Sequence, residues 1–210
     1  MKRFLIFICT AFLFANLSAE SLFAFGGGLD NIQLTDIGTI TARYNNQTVR
    51  LNRNDINLND LPFGQSLEMN INARWIFENH CAIGLSFGAD AFFSFNAGLG
   101  FALFSLDKKV MFIPIFVLGY TGYEESFADT SISYKNFVYG IDVMLNFKTG
   151  EWLGFYASVQ VLGLFGDLKI EEKSDYFYNG RRYTDTASIN LNGVKGFNPK
   201  FRLGMSVLLS

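Results

Sequence analysis

Residues 66–77 read Ser66-Leu67-Glu68-Met69-Asn70-Ile71-Asn72-Ala73-Arg74-Trp75-Ile76-Phe77. Leu67, Met69, Ile71, Ala73, Trp75 and Phe77 fall on one face, and Ser66, Glu68, Asn70, Asn72 and Arg74 on the other. A period of two is the signature of a strand with one apolar and one polar surface. The pattern recurs seven more times, over 22–29, 81–91, 95–106, 110–123, 134–147, 152–165 and 201–209. Eight such strands predict an all-β fold, an eight-stranded antiparallel up-and-down β-barrel that crosses a membrane.

The faces of the strands decide between a membrane barrel and a soluble, lipocalin-like ligand-binding barrel, which has the same alternation turned inside out. The polar face carries Gly, Ser, Asn and Ala with few charges, which suits a narrow lumen rather than a water-exposed wall. The opposite face is large and uniform. Trp75, Phe77, Phe147 and Tyr123 lie near strand ends, where aromatic girdles form. Val110–Tyr123 is apolar on both faces and contains Pro114, which belongs near a strand end or a bulge. Spanning helices are excluded: the stretch 81–106 alternates and contains Asp90 and Asn96, and 110–120 is too short.

The N-terminus reads as a signal peptide over 1–19. Lys2 and Arg3 precede the apolar run Phe4–Ala15, and Leu17-Ser18-Ala19 offers a cut ahead of Glu20. Residues 20–210 then form one barrel domain in the cell outer membrane. The formal net charge of −2 becomes −4 on removal of Lys2 and Arg3, and no basic cluster points to nucleic acid. Cys9 leaves with the signal, so Cys81 has no disulfide partner.

Connections alternate in length. Segments 30–65, 92–94, 124–133 and 166–198 join strands at one end, and short turns at 78–80, 107–109 and 148–151 at the other. Long loops outside and short turns on the periplasmic side are the habit of outer membrane barrels. Tyr178-Asn179-Gly180-Arg181 is a two-residue hairpin signal, so strands seven and eight are expected to protrude as a ribbon. Ile40–Tyr44 and Gln47–Leu51 around Asn45-Asn46 make a weaker hairpin, and Asn52–Asn59 reads as irregular.

Taken with these strands, the segment Phe112-Ile113-Pro114-Ile115-Phe116-Val117-Leu118-Gly119-Tyr120 resembles the proline-then-glycine strand of the small OmpA/OmpX-type outer membrane barrels. The resemblance is to architecture over 20–210, and implies a plugged or thinly conducting lumen. The end Leu208-Leu209-Ser210 departs from the terminal aromatic residue of that group; a spirochaete-like lineage would account for this.

Five charges face inward: Glu68, Arg74, Asp90, Asp142 and Arg202. Chain direction predicts an upper Glu68/Arg202/Asp90 cluster and a lower Arg74–Asp142 pair at similar depth. Such pairs either plug the barrel or exchange partners as a gate. The 166–198 loop sets Tyr176, Phe177, Tyr178 and Tyr183 beside Arg181 and Arg182. Aromatic side chains beside arginines suit a contact surface for an extracellular or surface protein partner; alternatively, the tyrosines pack on each other. His80, the single histidine, lies in a turn with no inward serine at its level, so no enzymatic activity, metal or other cofactor is expected. The expected role is structural and surface-interacting, as a monomer in contact with membrane lipid, with a narrow channel for small or apolar solutes as the alternative.

Overall fold

A computed structural model describes residues 19–45, 47–49, 51, 65–89, 93–127, 129–179 and 181–209. Its strands are β1 (Ala19–Asn31), β2 (Gln33–Asp36), β3 (Thr39–Tyr44), β4 (Gln47–Val49), β5 (Gln65–Phe77), β6 (Cys81–Ala89), β7 (Phe93–Phe101), β8 (Leu103–Phe104), β9 (Val110–Phe127), β10 (Thr130–Lys148), β11 (Leu153–Tyr178) and β12 (Arg181–Leu209). The order β1-β5-β6-β7-β9-β10-β11-β12 closes on itself because β12 also pairs with β1. All pairings are antiparallel, with β8 continuing β7 along β9. The fold is an eight-stranded antiparallel up-and-down transmembrane β-barrel.

The ring closes with a stagger. Following cross-strand partners from Glu20 leads through Ile76, Ala82, Gly100, Ile115, Asp142, Gln160 and Lys200 back to Asp30. The path returns ten residues further along β1 than it left. A shear of this kind requires strands tilted by roughly 35–45°. It also means that cross-strand neighbours do not share a height in the barrel.

Alternation places the apolar positions outside. Phe25, Phe95, Phe116, Phe137, Phe155 and Phe201 all stand exposed on the outer wall. In water such a continuous apolar belt would be costly, and in a bilayer it matches the surroundings. Trp75 faces outward but is buried, packed edge-on against Phe23 at 6.5 Å beside Ala73, Ile83 and Leu85. Tyr123 faces inward and packs with the interior, so it does not belong to the outer girdle. β9 carries Met111, Ile113, Ile115 and Val117 into the barrel and Phe112, Phe116 and Leu118 outward, which explains a strand apolar on both faces.

Strands extend further than the alternation alone suggested. Segment 124–133 is not a loop: β9 runs to Phe127 and β10 starts at Thr130. Most of 166–198 is the β11–β12 ribbon, with Tyr178 paired to Arg181 and Asn179 at φ 49 in the turn. β3 and β4 join this ribbon, pairing Ala187 with Tyr44 and Tyr44 with Gln47. The result is a sheet standing above one side of the barrel. A bulge at Gly166/Asp167 marks where it leaves the wall; Gly193 there has φ 73 and donates its N–H to Asp167 Oδ1 at 3.0 Å. Residues 1–18, including most of the expected signal, and Asn52–Asn59 lie outside the described residues.

Candidate functional site: a charged lumen and an outer ribbon

Seen from one end, the ring of eight puts β5 and β10 opposite each other. Arg74 on β5 and Asp142 on β10 therefore meet across the full width of the lumen, in a buried ion pair. A second Arg74 nitrogen donates to the carbonyl of Leu85 at 3.2 Å. The register row through Asp142 meets β5 at Ile76 in one direction round the ring and at Ser66 in the other, a consequence of the barrel shear, and Arg74 lies between these two positions.

Nearer the outer end, Glu68 is the hub. Arg202 grips it with two bonds, Nε to Oε2 at 3.0 Å and Nη2 to Oε1 at 2.9 Å. Lys200 Nζ donates to Oε1 at 3.1 Å and Ser94 Oγ at 3.2 Å. Lys200 also faces Asp30 Oδ2 at 2.6 Å. All of these side chains are buried. The order Asp30–Lys200–Glu68–Arg202 alternates in sign, so each charge is compensated.

The sequence reading named Glu68, Arg74, Asp142 and Arg202 but missed Asp30 and Lys200. Asp90, the expected third member of the upper cluster, lies outside the described residues. The signal for the missing pair was present. Extending strand eight by one residue reaches Lys200, on the face of Arg202, and extending strand one by one residue reaches Asp30, on the face of Gly28. Asp30 falls in the 30–65 connection, and Lys200 between the 166–198 connection and the strand that starts at Phe201.

Polar bonds tie other walls together. Tyr156 on β11 donates to Asn70 on β5 at 2.5 Å, and Ser206 on β12 to Asn146 on β10 at 2.5 Å. Apolar layers lie at both ends of this polar middle. Leu22, Ile76, Ala82, Ala102, Met111 and Ile113 fill the end near the short turns. Ile32, Ile37, Tyr134, Leu168, Leu191 and Val194 fill the end beneath the ribbon.

On the ribbon, Tyr176 and Tyr183 stack at 5.6 Å with their rings 17° apart, so these two tyrosines do pack on each other. Both remain exposed, as do Tyr178, Arg181 and Arg182; the Phe177 side chain lies outside the described residues. Arg182 and Thr184 both bond Asp175. The Thr184 hydroxyl and the Arg182 guanidinium hold the Asp175 carboxyl below its ordinary range. Tyr44 donates to Asp185 at 2.9 Å, and this bond to a carboxylate raises its phenol above the ordinary value. Asn45 donates to the other Asp185 oxygen at 2.8 Å, tying β3 to the ribbon.

No family model and no curated protein matches this chain. Among solved structures it is similar to the outer membrane protein OprG from Pseudomonas aeruginosa, at 6% identity and TM-score 0.44, over 91% of this chain and 96% of that one. It is also similar to the outer membrane protease OmpT from Escherichia coli, at 11% identity and TM-score 0.27, over 91% and 95%. A third is Ail, the attachment invasion locus protein of Yersinia pestis, in complex with the heparin analogue sucrose octasulfate, at 11% identity and TM-score 0.23, over 92% and 100%. One of these neighbours is a protease, so this kind of barrel does not exclude catalysis, and the expectation of no enzymatic activity, drawn from the lone turn histidine His80, does not stand.

Proposed function

We propose that this chain is a bacterial outer membrane barrel of the small OmpA/OmpX kind, acting as a structural and surface-interaction protein. The observation that carries the reading is the filled lumen: buried ion pairs cross it, and apolar layers lie above and below them. A lumen so occupied supports rigidity rather than flow, and leaves the protruding sheet as the surface for contact. Tyr176, Tyr178, Arg181, Arg182 and Tyr183 suit an extracellular or surface protein partner, because aromatic and arginine side chains dominate such contacts. The apolar belt argues for a monomer in membrane lipid and against the soluble lipocalin-like reading.

One observation favours the narrow channel as a second reading. Lys200 has two acceptors and Glu68 two cations, so the upper cluster can exchange partners without stranding a charge. Single-channel recording of the refolded barrel in a planar bilayer, with wild type and Arg202→Ala, tests both. Absence of discrete conductance in either supports the structural role. Discrete steps in the wild type that Arg202→Ala enlarges would replace it with the channel.

A further inference from the structure

Gly26, Gly27 and Gly28 follow one another in β1, and two of them have an internal reason to be glycine. A Cβ on Gly26 would lie 2.0 Å from the carbonyl oxygen of Leu203, and one on Gly28 2.4 Å from that of Phe201. A Cβ on Gly27 would meet only the Glu68 carbonyl oxygen, at 3.7 Å, an ordinary contact. Gly27 points outward, between Met69 and Leu203 in register. The other outward glycines of the wall are roofed by a neighbour's ring: Tyr120 lies 2.8 Å from a would-be Cβ at Gly122, and Tyr139 2.7 Å from one at Gly163. Gly27 has no such roof among the described residues.

The result is a socket of 480 Å³ in the outer wall, lined by Leu29, Leu67, Met69, Phe201 and Leu203 and floored by Gly27, Gly28 and Glu68. Leu67 and Met69 stand beside it with 79% and 77% of their surface exposed. The socket is continuous with the apolar belt, so what reaches it is what surrounds the belt. We propose that it seats one lipid acyl chain, held more closely than the lipid along the rest of the wall. This rests on the membrane-barrel reading above. Glu68 turns its carboxylate into the lumen, where Lys200 and Arg202 hold it, so the socket presents no charged side chain, recognition is by shape and dispersion, and an unbranched chain fits between ridges on β5 and β12.

Methionine labelling provides the test, because the methionines of the barrel sample different surroundings. Met69 borders the socket, Met205 lies on the open outer wall, and Met111 and Met144 face the lumen. The barrel is labelled with ¹³C-methyl methionine, reconstituted in phosphatidylcholine nanodiscs, and cross-relaxation from acyl methylene protons is measured. Met69 is expected to exceed Met205 by about twofold, since a seated chain touches it from the side as well as the front. Gly27→Leu, which fills the socket, is expected to bring the two to parity. Equal signals in the wild type, or no response to Gly27→Leu, would overturn the proposal. So would contacts between copies in a mixed-label sample, which would make a second barrel the occupant. Lipid contact at Met111 or Met144 would instead overturn the membrane-barrel reading itself.

Discussion

Replacing Glu68 with alanine removes the acceptor of four hydrogen bonds at once. Lys200 keeps Asp30 at 2.6 Å. Arg202 has no other ion-pair contact among the described residues, so its charge is left buried and uncompensated. Breaking a buried pair from one side costs about 3–5 kcal/mol. Even the lower figure exceeds a hundredfold in the folding equilibrium. The contrast is Glu68→Leu with Arg202→Met, which replaces both partners with apolar groups of similar size. Removing both partners of a buried pair is often near neutral, so the double variant is expected to recover at least about 2 kcal/mol of the loss. Urea unfolding of the barrel refolded in micelles, followed through tryptophan fluorescence, reads both values. A loss below about 1 kcal/mol for Glu68→Ala would refute the idea that the lumen depends on mutual compensation of charge. So would a double variant as unstable as the single one.

Gly204→Ala should fail to close the barrel, because its Cβ would lie 2.1 Å from the carbonyl oxygen of Phe25, which is backbone and has nowhere to go. Loss of the compact, fast-migrating band on an unheated gel measures this, and an unchanged band would contradict the geometry. At the ribbon, the depressed Asp175 value means that the unfolded tip takes up the proton first as pH falls. Its contribution is present above the ordinary aspartate value of about 3.9 and is lost as pH drops through the lower folded value. Ring resonances of Tyr176 and Tyr183 should therefore stay constant down to about pH 4 and change below it; a midpoint above about pH 5 would be inconsistent with the cause given.

Alternation carried the architecture because burial on one face leaves a period of two in any strand, and eight copies leave few other folds. It was weakest where that cause fails. In β9 both faces are apolar, one for lipid and one for the lumen, and the pattern disappears. In 124–133 Glu124, Glu125 and Asp129 break the apolar spacing and strand looks like loop, whereas in 166–198 the turn signal Tyr178-Asn179-Gly180-Arg181 marks the ribbon. The charged site was legible only as far as the strands were, which is why Arg74 and Asp142 were paired and Lys200 and Asp30 were not. The offset between Arg74 and Asp142 depends on shear, which no single strand encodes. The socket at Gly27 is not legible in the sequence, which does not say which of three consecutive glycines has a neighbour.

The seam between β1 and β12 joins Ser21 to Leu209, residues separated by almost the whole described chain. Contacts of such separation are slow to form, and no earlier hairpin can substitute for this one. Until β12 is in place, seven strands of the ring present two unpaired edges and a wide apolar surface, the combination that drives aggregation. Assembly of this barrel is therefore governed by its last strand, and the interval before closure is when the chain most needs protection from its own kind.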